Sequence, residues 1–209
     1  VPVAIILDHG KKIENIKKCI ELGISVMVDG SHLPYEENIA FTKRVVDMAH
    51  LAGLSVEGEL GSIGGAEDTE DQIAESMTDP SYVRDYVERT GVDALAVAVG
   101  NVHGKYVKPP VLDFERLTQI KKSVNVPLVL HGGSDLPDQL SLSAINVGIK
   151  KFNIGTDLKY AMCLALKEVL NQDPMPFQPQ HTLGFARNRV KQVTLEKIRL
   201  FKNGQNLEL

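Results

Sequence analysis

The sequence predicts an α/β protein built on a parallel sheet, and three observations support this. Short apolar runs rich in valine, isoleucine and leucine recur along the chain, separated by amphipathic stretches with helical spacing. The apolar runs do not alternate with polar residues, which is typical of strands covered on both faces. Glycines follow four of the predicted helices, where C-terminal caps belong: Gly23, Gly53, Gly91 and Gly148.

Six successive βα units can be placed along the chain. The strands are predicted at 1–7, 25–29, 55–60, 94–99, 127–131 and 151–155. The helices are predicted at 11–22, 36–53, 80–90, 113–124, 137–147 and 158–170. A closed TIM (β/α)8 barrel needs eight such units. We therefore expect a TIM barrel of which two N-terminal units are missing; a six-unit open sheet is the alternative.

The length of 209 residues suits one domain. We expect residues 1–209 to form a single barrel domain, with 171–209 as a linker followed by a C-terminal helix. The proline-rich stretch at 173–179 is the predicted linker, and the helix is predicted at 188–202.

Composition excludes several classes of partner. The net charge is −4 and there is no basic run, so nucleic acid is not an expected partner. No apolar run reaches about 18 residues, so no membrane span is predicted. Cys19 and Cys163 have no metal-site spacing and lie in predicted helices. We interpret them as reduced core residues of a cytoplasmic protein.

Three histidines stand where predicted strands end, and glycine follows each of them: His9, His103 and His131. If the strands belong to one parallel barrel, all three imidazoles project from its C-terminal face, where barrel enzymes have their active sites. Three imidazoles and one open position form the ligand set of a catalytic zinc. The alternative is that they are three unrelated loop histidines.

Several carboxylates accompany these histidines. Asp8 directly precedes His9, so it is a candidate for general acid–base work or, alternatively, the N-cap of the helix at 11–22. Asp29 ends another predicted strand. Glu57 and Glu59 share one face of the next strand because side chains alternate with period two. Buried carboxylates need partners, so we expect contacts with the histidines or with the metal; the alternative is a solvated edge strand.

Two glycine-rich turns are suited to bind phosphate. One is Gly132-Gly133-Ser134, and the other is the segment 153–156; each precedes a predicted helix whose N-terminus favours an anion. The long loop at 61–79 contains several glycines and Glu67. It could be an active-site lid that brings in Glu67 as a base, or an acidic surface loop.

At the level of whole segments, the chain resembles the class II, zinc-dependent ketose-bisphosphate aldolases. The segments concerned are LDHG at 7–10, SVMVDGSHLP at 25–34, VEGELG at 56–61, TGVDALAVAVG at 90–100 followed by His103 and Gly104, and LVLHGGS at 128–134. The resemblance extends in order from residue 1 to about 170. It is strongest to the branch of tagatose-bisphosphate aldolases and their fructose-bisphosphate relatives.

The resemblance implies a set of metal ligands. His9, His103 and His131 would bind the catalytic zinc. Asp29 and Glu59 match positions that contact a second or displaced metal, so a second divalent or a monovalent cation is a further possible cofactor.

It also implies catalytic and substrate-binding roles. Asp8 would be the proton donor, Glu57 would lie behind the metal ligands, Glu67 would be the acid of a mobile loop, and Asn153 would face the enediolate. The residues expected around dihydroxyacetone phosphate are Gly104, Gly132, Gly133, Ser134, Asn153, Ile154, Gly155 and Thr156. This chain departs from the family pattern near the substrate at Asn101-Val102, Asp135 and Gly155.

The implied activity is zinc-dependent aldol cleavage of tagatose or fructose 1,6-bisphosphate to dihydroxyacetone phosphate and glyceraldehyde 3-phosphate. The expected partners are a small sugar phosphate and further copies of the chain, in a dimer or tetramer. Two alternatives remain from the sequence. One is a metal-dependent hydrolase barrel, although the His-x-His pair usual on its first strand is absent here; the other is an impaired aldolase fragment that only binds sugar phosphate.

Overall fold

A computed structural model describes residues 2–65 and 68–202 of the chain. Its centre is a parallel sheet in which each strand pairs with the next along the sequence, in the order β1 to β6. The strands are β1 Ile6–Gly10, β2 Ser25–Val28, β3 Val56–Leu60, β4 Ala94–Val97, β5 Leu128–Leu130 and β6 Ile149–Phe152. The sheet curls into an incomplete barrel, which confirms the predicted fold class.

Helices connect the strands and cover the outer face of the sheet. They are α1 Ile13–Glu21, α2 Tyr35–Leu51, α3 Glu70–Ser76, α4 Pro80–Thr90, α5 Phe114–Ser123, α6 Asp138–Val147, α7 Thr156–Leu170 and α8 Pro179–Phe201. The main hydrophobic core lies between these helices and the sheet. No helix in the described part of the chain combines the length and apolar character needed to cross a membrane.

The inner face of the sheet has different side chains from the outer face. Met27, Ala96 and Val129 form a small separate cluster. They alternate along their strands with residues of the main core, so they project to the opposite, inner face. Apolar residues fill the inner face here, and polar side chains occupy it towards the C-terminal ends of the strands.

The main differences from the sequence prediction are four. Strand β1 runs from Ile6 to Gly10 rather than over 1–7, and Val3 and Ile5 before it are 88% and 69% exposed. Strand β6 ends at Phe152 because the chain then turns to start α7 at Thr156. Helix α3 was not predicted.

The fourth difference concerns the C-terminal helix, which begins at Pro179 rather than at 188. Proline is tolerated in the first turn of a helix, so the last proline of the predicted linker starts α8 instead of preceding it. Helix α8 packs along α7, and the Phe201 ring stacks on Phe152 with centroids 4.5 Å apart.

The two cysteines have different surroundings. Cys19 is half-buried and packs against the main core, whereas Cys163 is exposed on α7. The prediction that both are core residues is therefore wrong for Cys163. The helical spacing around Cys163 correctly predicted a helix, but it did not show which side of that helix is buried.

Candidate metal centre and substrate cavity

A cavity of about 570 Å³ opens at the C-terminal ends of the strands. It brings together residues from both ends of the sequence, including Asp8 and His9 from β1 and His103 from the segment after β4. The predicted substrate-binding residues that line it are Gly104, Gly132, Ser134, Asn153, Ile154, Gly155 and Thr156. His131 is fully buried beside the cavity.

The three histidines lie close enough to share one ion. One ring nitrogen of each lies within 4.8 Å of those of the other two, and the Nε2 atom of His9 is 3.1 Å from Nδ1 of His131. The ring centroids of His9 and His103 are 5.1 Å apart, and those of His103 and His131 are 6.0 Å apart. Clustered imidazole nitrogens are the donors that zinc prefers.

Carboxylates hold the outer nitrogens of two of these rings. The Nδ1 atom of His9 is 2.8 Å from Oδ2 of Asp29, and Nε2 of His131 is 2.9 Å from Oε1 of Glu57. An ionised carboxylate accepts hydrogen bonds, so each outer nitrogen carries a proton and the inner nitrogen is left with a lone pair. Carboxylate–histidine pairs of this kind orient metal ligands.

Electrostatics differ among the rings. The hydrogen bond to Asp29 raises the pKa of His9, against the opposing effect of burial. Burial lowers the pKa of His103, and the neighbouring His9 and His131 lower it further. A neutral His103 is the form that can bind a metal ion.

Asp29 and Glu59 form a second candidate cluster with His9. Both carboxylates are buried, which rules out a solvated edge strand at β3. Burial raises the pKa of Asp29, but hydrogen bonds from His9 and Ser31 outweigh this and hold it well below its usual range. Burial, with the adjacent Asp29, raises the pKa of Glu59 to about 7.

One oxygen of Glu59 explains why this cluster suits a cation. Its Oε2 atom is buried and has no hydrogen-bond partner among the described residues, although it lies 3.8 Å from Nδ1 of His9. A buried carboxylate oxygen without a partner is costly. A cation between Asp29 and Glu59 would remove that cost.

A β-bulge places Asp8 and His9 on the same side of β1. The pairing moves from Leu7↔Val26 to Gly10↔Val28, so β1 has one residue more than β2 in this stretch. His9 also adopts a positive φ of 49°, which is uncommon for a residue other than glycine. Adjacent residues in a regular strand point to opposite faces, but here both side chains line the cavity.

Asp8 is not the N-cap of the following helix. Helix α1 starts at Ile13, and its N-cap is Lys12. The Oδ1 atom of Asp8 instead accepts a hydrogen bond of 3.0 Å from Nδ2 of Asn153. The carboxylate therefore faces the cavity rather than the start of α1.

The two glycine-rich turns meet at the start of α7. The Oγ atom of Ser134 accepts hydrogen bonds from the backbone N–H groups of Gly155 and Asp157, at 3.1 and 3.3 Å. The N–H of Gly133 donates to the carbonyl of Asn153, so Gly133 links the turns and does not itself line the cavity. Backbone N–H groups at a helix N-terminus provide a site for an anion.

Gly132 cannot be replaced without moving this turn. Its φ is +63°, and a Cβ atom there would lie 2.0 Å from the carbonyl oxygen of Val102. The turn thus packs directly on the backbone that leads to His103. Glycine is required here for its conformation and for this close approach.

His103 lies on a loop, not at a strand end. Strand β4 ends at Val97, and the backbone of His103 is held by a bridge to Gly65 and by its N–H bond to the carbonyl of Gly64. The loop that was predicted to be a lid therefore supports a candidate metal ligand. Glu67 itself lies outside the described residues.

Three residues to which the sequence analysis gave no role support the site. Asn101 donates from Nδ2 to the carbonyl of His131, and the hydroxyl of Tyr106 donates to the carbonyl of Gly132. Lys151 contacts both Glu57 and Asn153. Lys151 could have been found from the sequence, since it is two residues before Asn153 and therefore shares its face of the strand.

The fold and the cavity are those of a barrel enzyme. The family model "Fructose-bisphosphate aldolase class-II" matches residues 1–206. The chain therefore belongs to the class II fructose-bisphosphate aldolases, a family of lyases.

Individual relatives agree with this assignment. The chain is similar to the fructose-bisphosphate aldolase of Staphylococcus aureus strain Mu50, with 45% identity over 204 residues that cover 96% of this chain and 71% of the relative. It is also similar to the crystal structure of the YdjI aldolase from Escherichia coli K12, with a TM-score of 0.80 and 41% identity over 96% of this chain and 69% of that one. The fructose-bisphosphate aldolase structure from Campylobacter jejuni, at 23% identity and a TM-score of 0.77, shares the fold over 98% of this chain and 71% of that one.

Proposed function

We propose that this chain catalyses the reversible, zinc-dependent aldol cleavage of a ketose 1,6-bisphosphate into dihydroxyacetone phosphate and glyceraldehyde 3-phosphate. The main support is the convergence of His9, His103 and His131 beside the Ser134 turn in one cavity. A metal site next to an anion site is what a phosphorylated ketone requires. Family membership favours this over the hydrolase alternative, because the family is one of aldolases.

The donor set fits zinc. The three histidines would hold the ion, with Asp29 and Glu57 fixing the rings of His9 and His131 from behind. When bound, zinc would supply a Lewis acid that polarises the ketone of the substrate. Asp29 and Glu59 would hold a second divalent or a monovalent cation at the adjacent cluster.

Asp8 is the proposed proton carrier at the C4 hydroxyl of the substrate. Its carboxylate lies in the cavity next to the histidines, and its Oδ1 atom is oriented by the amide of Asn153. Removing the C4 hydroxyl proton allows the C3–C4 bond to break, and returning it drives condensation. The amide of Asn153 would donate a hydrogen bond to the oxygen that gains negative charge.

The glycine turns would anchor one phosphate of the sugar. Gly155 and Thr156, at the start of α7, line the same end of the cavity as Ser134, and Gly133 ties the two turns together. Anchoring the phosphate holds the reacting carbons in position and lowers the entropic barrier. Gly104, Ile154 and Thr156 complete this wall, and Glu67 remains the proposed acid that moves the carbon-bound proton.

Substrate choice should depend on groups around the departing aldehyde. Tagatose and fructose 1,6-bisphosphate differ in configuration at C4 but share the dihydroxyacetone phosphate half. We propose that both are cleaved and that tagatose bisphosphate is modestly preferred; the Staphylococcus aureus relative is described as a fructose-bisphosphate aldolase. We also propose a cytoplasmic homo-oligomer, a dimer or a tetramer, which light scattering would test.

The deciding experiment is an aldol-cleavage assay of the purified chain with both sugars, before and after treatment with a chelator and after zinc is restored. Activity that is lost with chelator and recovered with zinc supports the proposal. Binding of sugar phosphate without turnover would identify an impaired fragment instead. A preference for the fructose isomer of about a hundredfold, or about 2.7 kcal/mol, would exclude the proposed sugar preference.

A further inference from the structure

We propose that Lys151 is a positioning residue of this site, which fixes the amide of Asn153 towards the substrate and the carboxylate of Glu57 towards His131. This inference rests on the proposed function, because it assigns Lys151 a role in the same reaction. Neither the sequence pattern of the site nor its three-histidine cluster assigns a role to this lysine.

The geometry places Lys151 between the metal cluster and the substrate wall. Its Nζ atom is 2.6 Å from Oδ1 of Asn153 and 2.9 Å from Oε2 of Glu57. Lys151 lies on β6 and pairs with Val129 of the inner face, so it projects into the barrel with Asn153 two residues later. About a third of the side chain, 35%, is exposed, and it lines the cavity.

The chemistry of the ammonium group settles the orientation of the Asn153 amide. An ammonium group only donates hydrogen bonds, so the amide atom that faces it must be the carbonyl oxygen. The amide nitrogen is then directed at Oδ1 of Asp8 and Nδ1 of His131, each 3.0 Å away. A rotated amide would set its oxygen against the carboxylate of Asp8 and would have no donor for the substrate.

The second contact concerns the carboxylate behind His131. Glu57 is 3% exposed, and its two oxygens are divided between His131 and Lys151. Burial raises the pKa of Glu57, but the hydrogen bond from His131 and the charge of Lys151 outweigh it, so the pKa is below its ordinary value. An ionised Glu57 accepts the Nε2 proton of His131 and leaves its Nδ1 lone pair directed at the cluster.

The test compares Lys151→Met with Lys150→Met. Methionine keeps an unbranched stem but removes the charge and the donors, and Lys150 is the exposed neighbouring lysine on β6. We expect Lys151→Met to lower kcat by about 10- to 100-fold, the range found for residues behind metal ligands, with a smaller change in KM. Lys150→Met should match wild type, and Lys151→Arg, which keeps charge and donors, should recover part of the loss.

A double-mutant cycle separates positioning from general support of the fold. The cycle is measured at saturating zinc, so that the contact with Glu57 does not limit metal binding. If Lys151 then acts on turnover through Asn153, adding Lys151→Met to Asn153→Ala should lower kcat by no more than about twofold beyond Asn153→Ala alone. If the losses in kcat of the two single variants multiply in the double variant, the assignment is wrong. It is also wrong if kcat of Lys151→Met is within about twofold of the wild-type value. A melting temperature of Lys151→Met equal to that of wild type would confirm that the fold of the variant is intact.

Zinc affinity provides a readout that does not need turnover. Titration calorimetry of the metal-free protein should give weaker zinc binding for Lys151→Met, by about tenfold, and little further weakening when Glu57→Gln is added. Unchanged zinc affinity of Lys151→Met would show that the contact with Glu57 does not position His131. If the wild-type chain cleaved neither sugar, the proposed function would fail, while this titration would still decide the role of Lys151 behind His131.

Discussion

Glu59 makes the stability of the metal-free protein depend on pH in a direction that can be worked out. Its carboxyl is 2% exposed, and Oε2 has no hydrogen-bond partner among the described residues. Burial and the charge of Asp29 raise its pKa from the ordinary 4.5 to about 7. The folded state therefore holds this proton more tightly than the unfolded state does. The associated stability is fully present below about pH 4.5 and is lost as the pH rises through about 7.

The difference between 4.5 and about 7 corresponds to about 3 kcal/mol, because each pH unit is worth about 1.4 kcal/mol. His9 acts in the same direction: its pKa is raised above 6.5, so its contribution is present below 6.5 and is lost as the pH rises through the folded value. Asp29 has a lowered pKa, so its contribution is lost only in acid and is constant across this range.

Urea unfolding of the chelator-treated protein between about pH 5 and 8.5 would measure this dependence. Glu59→Gln removes the titrating group, so the loss of unfolding free energy with rising pH should shrink by about 3 kcal/mol. Glu21→Gln, at an exposed position of α1, is the matched control and should follow wild type. Parallel profiles for Glu59→Gln and wild type would refute the reasoning. Saturating zinc should flatten the wild-type profile, because a nearby divalent charge favours the ionised carboxylate.

Three further substitutions test the site. His131→Ala should abolish zinc binding and activity together while circular dichroism stays native; one zinc retained per chain would disprove the three-histidine assignment. Asp8→Ala should keep its zinc but lose about two to four orders of magnitude in turnover, so near-normal kcat would exclude Asp8 as the proton carrier. Gly132→Ala should lower stability by about 1–3 kcal/mol and raise KM for the sugar, because its φ is +63° and its Cβ would meet Val102. The control Gly184→Ala, in α8 with no described neighbour within 4 Å, should raise the melting temperature slightly.

The parallel sheet could be predicted because its information is local. Runs of apolar residues without alternation mark buried strands, and the helices between them have their own spacing and caps. The predicted order of six units matches the observed order β1 to β6. The ends of the strands were predicted less accurately, as at β1 and β6. A strand ends where the neighbouring strands no longer pair with it, and that depends on residues far away in the sequence. The start of α8 was missed because Pro179 is compatible with both a linker and the first helical turn.

Contacts at the site were harder to predict because they join residues far apart in sequence. The Lys151–Glu57 ion pair and the Asn101 bond to the backbone of His131 depend on which strands are neighbours and in what register. A sequence shows that Glu57 and Glu59 share a face. It does not show that Glu57 has two partners while, among the residues that the structure describes, one oxygen of Glu59 has no hydrogen-bond partner. That difference separates the carboxylate that orients a ligand from the one suited to a cation.

The bulge in β1 shows how the site depends on a departure from regular structure. In a regular strand, alternation would direct Asp8 and His9 to opposite faces, and one of them would leave the cavity. One extra residue opposite β2 and a positive φ at His9 bring both side chains to the same side. A residue other than glycine in this conformation costs about 1–3 kcal/mol. The hydrogen bonds of His9 to Asp29 and to Met27, together with its neighbours His103 and His131, offset this cost. The strain is therefore located where the proposed proton carrier and a proposed metal ligand would face one substrate from adjacent positions.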